Sequence, residues 1–288
     1  MEMKILILGA NGMLGSRISK TFSDSKYKIF ATLRKKKFLK IKNIKFQYNI
    51  DVTKKTKIKN LLLKIKPDVV INCTGFIKQK DKNNKRKKSM YYMNSTFPIF
   101  LDLMSKKLNF YNIHFSTDCV FDGKKKMYSE KSKMNAKDDY GKSKILAEKK
   151  IKHNTLVIRT SIIGHELNSK KYGLLEWFLN SGSKVEGYSK VFFSGLSTNE
   201  LSKIIKKIID KKMFFTGTYN ISSKRISKYS LLAMINLIYK AKKIIINNKK
   251  IKIDRSLNSK LFKNKFGIKI NSWKKQILEM NQSYKLNK

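Results

Sequence analysis

The chain has 288 residues, 41% of them hydrophobic, which is enough for one large or two modest domains and too apolar for a disordered protein. Its 66 Lys and Arg against 19 Asp and Glu give a formal charge of +47, but the lysines run along the whole chain on the polar side of amphipathic segments, as Lys203, Lys206 and Lys207 do, so a solvated face is favoured over a nucleic-acid surface. No apolar run approaches the ~18 residues of a membrane helix, and the histidines lack metal-ligand spacing, so no nucleic acid, membrane or metal is expected.

The first pattern is the apolar run Ile5 to Leu8, closed by Gly9. Gly12 and Gly15 follow and an amphipathic segment begins, so a G-x-x-G-x-x-G spacing joins a buried strand to a helix. A glycine turn lets backbone approach a pyrophosphate closely, and the N–H groups opening the next helix point at its charge. A dinucleotide site is expected on Gly9, Asn11, Gly12, Met13, Leu14 and Gly15; the alternative is a glycine-rich turn without a ligand. Strands are predicted at Tyr27 to Leu33 and Asn43 to Asn49, then a helix over Thr53 to Ile65 that stops before Pro67. After the strand Asp68 to Asn72, residues 81–88 have no apolar side chain and suit a surface loop or helix entry. A helix over Met90 to Lys107, a strand Phe110 to Ser116, a helix Asp139 to Ile151 and a strand Leu156 to Arg159 continue the alternation. The fold class expected from it is α/β, a Rossmann-type doubly wound parallel sheet with right-handed crossovers.

From Ser161 to Ser194 glycines are more frequent and strands less obvious. Ser197 to Glu200 resembles a capping box before the amphipathic run Leu201 to Ile209. A short strand at Thr218 to Ile221, a helix over Lys228 to Ala241, a strand at Ile251 to Ile253 and a helix from about Trp273 complete the prediction. Residues 1–160, with a returning segment 197–224, are expected to form the dinucleotide-binding domain, and 161–196 with 225–288 a smaller α/β substrate lobe. The strand starting at Ile5 leaves no room for a signal peptide, and Cys73 and Cys119 suit reduced thiols, so the cytoplasm is the expected compartment.

An acid after the second strand would bond a ribose 2′-hydroxyl and favour NAD. The sequence there is Thr32-Leu33-Arg34-Lys35-Lys36, and the planar fork of Arg34 suits a 2′-phosphate. NADP(H) is the expected cofactor; the alternative leaves Arg34 as one more surface charge. Asp51, next to Val52, is placed to meet an adenine or to cap the following helix.

Tyr140 and Lys144 form a Tyr-x-x-x-Lys pair whose spacing puts both on one helix face. A phenol ionises near pH ~10, and an adjacent ammonium favours the phenolate, so the pair suits proton exchange with a carbinol. Upstream stand the strand end Ser116-Thr117-Asp118 and Asn94. Thr117 would hold the reacting oxygen, and Asn94 would position a water or backbone group behind the lysine.

These residues resemble the extended short-chain dehydrogenase/reductase family, and within it the dTDP-4-dehydrorhamnose reductase branch. The matching stretches are ILGANGMLGS, INCTG, STDCVFDG, DDYGKSKILAE and VIRTSIIG. The resemblance implies an NADPH-dependent reductase of the 4-keto group of a nucleotide-linked deoxysugar, serving polysaccharide biosynthesis, with Thr117, Tyr140 and Lys144 as its triad. It also implies Cys73, Thr74, Gly75 and Ser116 near the coenzyme, and Asp118, Val120, Phe121, Arg159 and Arg255 near the substrate. Cys119 stands where the branch usually has Tyr, and the stretch Gly164 to Leu167 departs from a dTDP-rhamnose enzyme. A reductase of UDP-linked 4-keto acetamido sugars, an epimerase of the same fold and a nucleotide-binding regulatory subunit remain alternatives. A homodimer is compatible with this family.

Overall fold

A computed structural model describes residues 2–35, 41–77, 86–167 and 172–285. The strand β1 (Lys4–Leu8) has four residues with no exposure, Ile5 to Leu8, because it lies mid-sheet. It turns at Gly9 into α1 (Met13–Phe22), which buries Leu14, Ile18 and Phe22. There follow β2 (Lys28–Thr32), β3 (Ile44–Gln47), α2 (Lys55–Ile65) and β4 (Val69–Asn72). The helix expected over Met90 to Lys107 is three pieces: α3 (Lys87–Tyr91), a π-helical turn at Tyr92–Thr96, and α4 (Phe97–Leu108). Then come β5 (Tyr111–Ser116), α5 (Asp139–Lys150) and β6 (Thr155–Arg159).

Strands β3, β2, β1, β4 and β5 pair in parallel, and the seven-stranded sheet continues through β6 to a later strand. The strand order reverses between β1 and β4, so the ends Leu8 and Asn72 flank the switch point where open α/β sheets bind ligands. One core cluster, including Leu6, Leu8, Val70, Leu62, Phe97 and Leu101, fills the space between sheet and helices.

The remaining elements are short: β7 (Ile162–Ile163), α6 (Leu174–Asn180), β8 (Lys184–Tyr188), β9 (Val191–Phe193), β10 (Leu196–Ser197), α7 (Thr198–Asp210), β11 (Gly217–Asn220), β12 (Ile226–Ser227), α8 (Lys228–Tyr239), β13 (Ile244–Asn248), β14 (Ile253–Asp254), α9 (Lys260–Phe266) and α10 (Trp273–Lys285). β11 is the outer strand beside β6 in the seven-stranded sheet. A second core, with Phe178, Leu231, Ile235, Trp273 and Ile277, holds α6, α8 and α10 together.

The chain divides into two compact units. The first is Met1–Ser116, Lys137–Ile158 and Ile205–Thr218; the second is Thr117–Ala136, Arg159–Ile204 and Tyr219–Lys288. This partition differs from the expected domain boundaries in two respects: residues 117–136 group with the second unit, and the segment that returns to the first unit is 205–218 rather than 197–224. The structure also contains α6 and β13, which the sequence pattern did not reveal. Lysine and asparagine flank the three isoleucines of β13, and its Ile244 and Ile246 are exposed, so the strand lacks the apolar alternation of a half-buried one.

Candidate active site

In the first unit, Gly9 has φ +83°, a conformation glycine adopts without a Cβ clash. Its N–H donates to the Thr32 hydroxyl at 3.1 Å. A Cβ on Gly15 would lie 2.1 Å from the Gly9 carbonyl oxygen, so α1 closes on the turn only because residue 15 is glycine. Gly12 begins α1 with no side-chain cap, and Asn11, Gly12 and Met13 are half-buried along this turn while Leu14 enters the core. These residues can hold a dinucleotide diphosphate: the turn is tight and a helix opens directly from it.

Arg34 and Lys35 are exposed just after β2, and Leu33 beside them is buried, so no acid occupies residues 33–35. Lys36 lies outside the described residues. Asp51 accepts from the Thr53 N–H at 2.9 Å and the Thr53 hydroxyl at 2.8 Å. The Thr53 N–H, supported by the hydroxyl and by the charges of Arg34 and Lys54, holds the Asp51 carboxyl below the usual carboxylate range. The aspartate thus shapes the turn leading to α2; Val52 next to it is buried.

Beyond β4, Asn72 Oδ1 accepts from both the N–H and the hydroxyl of Thr74, and this bends the chain at Cys73–Thr74–Gly75. Burial pushes the Cys73 thiol far above its ordinary value, so it is an inert neutral group. Gly75 faces Asn94 and Lys144: a Cβ there would lie 3.6 Å from Asn94 Oδ1 and 4.0 Å from Lys144 Nζ.

Helix α5 carries the Tyr–Lys pair. Asp138 caps it, accepting from the Gly141 N–H at 2.8 Å, which places the half-buried Tyr140 in the first turn. Lys144, one turn on, is 6% exposed and donates to the Phe115 carbonyl at 2.8 Å. Burial lowers its ammonium to about 8, while the carboxylate of Glu148 pulls in the opposite direction. Glu148 in turn accepts from the Ser116 hydroxyl. One helix face therefore grips two consecutive residues at the end of β5.

Asn94 sits in the π-helical turn with no exposure. Its Oδ1 accepts from the Phe76 N–H at 2.9 Å, and its Nδ2 donates to the Phe76 carbonyl at 3.0 Å and to the Ser143 hydroxyl at 3.1 Å. Ser95 adds a 2.6 Å bond to the Ser143 carbonyl. The widened turn thus aims two successive side chains at the helix bearing Tyr140 and Lys144, a use of π-turns common at functional sites. Ser143, Ser95 and Glu148 were not singled out from sequence. Glu148 had a signal, an acid at i+4 from the lysine and so on the same helix face; the two serines had none.

The second unit opens with Thr117, whose hydroxyl accepts from the Cys119 N–H at 3.1 Å and donates to Asp118 Oδ1 at 3.2 Å. Thr117, Asp118, Val120 and Phe121 are all buried. Phe121 stacks on Tyr128 at 4.2 Å, with the Arg159 guanidinium 5.4 Å from its ring centre. Arg159 ends β6, is 3% exposed, and donates to the Glu130 carbonyl and the Met134 sulfur. Arg255 Nε donates to the Phe121 carbonyl at 2.8 Å, and its guanidinium also approaches Cys119 Sγ at 3.9 Å. Burial and the Asp118 charge raise the Cys119 thiol to about 12.

Among the described residues no cluster of three or more His, Cys, Asp or Glu side chains could hold a metal ion, and no helix is long and apolar enough to cross a membrane.

The chain is similar to the spore coat polysaccharide biosynthesis protein SpsK of Bacillus subtilis, with 28% identity over 167 residues, 56% of this chain and 54% of SpsK. It is similar to methionine adenosyltransferase 2 subunit beta of Xenopus tropicalis, with 25% identity over 207 residues, 68% of this chain and 55% of that protein. It thus spans about half the length of these curated relatives. The crystal structure of Bacillus anthracis dTDP-4-dehydrorhamnose reductase in complex with NADP superposes with a TM-score of 0.82 at 17% identity, covering 98% of this chain and 99% of that one. The family model of the RmlD substrate binding domain matches residues 3–286, and the chain belongs to that family, in the RmlD-like branch of the extended short-chain dehydrogenase/reductases.

Proposed function

We propose that the protein is an NADPH-dependent reductase of the 4-keto group of a nucleotide-linked deoxysugar. The observation that carries this is the buried Lys144, one helical turn from Tyr140, bonded to the end of β5 and facing the loop that follows β4. NADPH, when bound, supplies the hydride. The glycine turn would take its diphosphate, and Arg34 its 2′-phosphate through a charge-assisted fork. The Tyr140 phenol gives its proton to the carbonyl oxygen as the new C–H bond forms, and solvent returns that proton. Lys144 favours the phenolate that remains. The Thr117 hydroxyl is assigned to bond the reacting oxygen, and Arg159 and Arg255 to the nucleotide sugar. Asn94 acts on backbone, holding Phe76 against α5. The likeness to SpsK supports a place in polysaccharide biosynthesis, and the fold shared with NADP- and NAD-bound structures supports a nicotinamide coenzyme.

NADPH oxidation is to be measured against dTDP-, UDP- and GDP-linked 4-keto sugars. At least one should turn over, and Tyr140→Phe should cut kcat by about 10²–10⁴-fold with NADPH binding retained. Unchanged turnover in Tyr140→Phe would refute the assignment. The likeness to a methionine adenosyltransferase subunit favours a second reading, a nucleotide-binding subunit without turnover of its own. Coenzyme binding with no turnover across the panel would select it.

A further inference from the structure

His114 lies in β5 with no exposure and has no part in the chemistry assigned above. Its Nδ1 stands 3.2 Å from Asn72 Nδ2 at the end of β4. The other end of that amide is already committed, since Asn72 Oδ1 accepts from the Thr74 N–H at 3.1 Å and the Thr74 hydroxyl at 2.6 Å. Two donors on one side fix the amide orientation, so Nδ2 faces the imidazole. An amide nitrogen only donates, and Nδ1 must therefore accept. The ring proton sits on Nε2, which is buried without a hydrogen-bond partner among the described residues. Burial, and after it the Lys144 ammonium, push the imidazole well below its ordinary value.

A buried unpaired N–H is costly, and an aliphatic side chain at this position would avoid it. The cost falls on a residue whose one side-chain bond among the described residues runs to the amide that shapes Cys73–Thr74–Gly75. We propose that His114 is a positioning residue for this loop, acting through Asn72 to hold Thr74 and Gly75 ready for the nicotinamide coenzyme beside Lys144. The proposal rests on the coenzyme reading given above. A protonated ring would present N–H to N–H at Asn72. Turning the amide to relieve that contact would put Nδ2 against the Thr74 N–H, so the loop keeps its shape only while Nδ1 accepts.

The test compares His114→Leu, which removes the acceptor, with His114→Asn, which carries one near the Nδ1 position. Three quantities are read: amide exchange at Thr74 without coenzyme, NADPH affinity, and kcat at saturating NADPH. In His114→Leu, exchange at Thr74 should quicken and the Kd for NADPH should rise, each by about tenfold, as expected for one lost hydrogen bond, with kcat changing by less than about twofold. His114→Asn should restore both to within about threefold of the parent. Unchanged Thr74 exchange in His114→Leu, or failure of His114→Asn to rescue, overturns the proposal. If the parent protein binds no nicotinamide coenzyme, that reading falls alone, and Thr74 exchange still decides whether His114 holds the loop. Should His114→Leu not fold, nitrogen NMR on the parent decides: an unprotonated Nδ1 supports the assignment, and a protonated Nδ1 overturns it.

Discussion

In the first unit the chemistry proposed to face the coenzyme is made largely of backbone: Gly9 at positive φ, Gly15 packed onto its carbonyl, and Gly75 bare against Lys144. In the second unit the groups proposed to meet the nucleotide sugar are guanidinium groups, Arg159 and Arg255, each bonded to a carbonyl and a sulfur of its own unit. The first arrangement works by leaving side chains out, so it fails by steric intrusion. The second works by holding charge in place, so it fails by losing a charge-assisted bond.

The largest effect that would sharpen this contrast is Gly15→Ala. Its Cβ would meet the Gly9 carbonyl oxygen at 2.1 Å and the carbonyl carbon at 2.9 Å, and neither can move without shifting the turn. A loss of about 1–3 kcal/mol in stability is expected, together with a drop of about 10²-fold or more in NADPH affinity, measured by melting and by coenzyme titration. Tight NADPH binding in Gly15→Ala would break the claim that the turn is the coenzyme seat.

Arg255→Gln should act on the other unit alone. Loss of one charge-assisted contact, about 1.5–3 kcal/mol, should raise KM for the nucleotide sugar by roughly 10–100-fold, with NADPH affinity unchanged. Equal losses in both affinities would show that the two regions do not divide the ligands as proposed.

The smallest effect concerns Lys144, whose ammonium burial lowers to about 8. Between that value and the unfolded lysine value of ~10.4 the unfolded chain binds the proton and the folded chain does not, so stability contributed at this site rises with pH across the window. Turnover should run the opposite way, with kcat/KM falling several-fold as pH climbs through about 8 and the ammonium is lost. Glu148→Gln removes the charge that raises the lysine value, so it should move the fall to lower pH. A flat profile from about pH 7 to about 9.5 would remove Lys144 from the chemistry.

Much of the first unit was legible because its signals are local. The apolar run Ile5 to Leu8 ending in Gly9 could hardly be other than a buried strand and a turn, and Tyr140 and Lys144 share a face by helix period alone. Less was legible where a side chain's partner lies far along the chain. Asn94 read as a residue behind the lysine; its bonds to Phe76 and Ser143, 18 and 49 positions away, depend on a π-turn that no pattern announces. The sequence leaves Asp51 open between adenine contact and cap; in the structure it bonds the Thr53 N–H and hydroxyl and shapes the turn before α2.

By itself the sequence determined the alternation of strands and helices, the glycine turn, the lack of an acid at residues 33–35 and the Tyr–Lys spacing, because each depends on covalent order and backbone period. Tertiary structure alone decided that Lys144 is buried and bonded to the Phe115 carbonyl, that Glu148 accepts from Ser116, that His114 is fixed as an acceptor by Asn72, and that residues 117–136 belong with the second unit. The physical reason is desolvation together with long-range pairing. Whether a charge is buried and which polar atom meets which are set by segments that touch only when the sheet has formed.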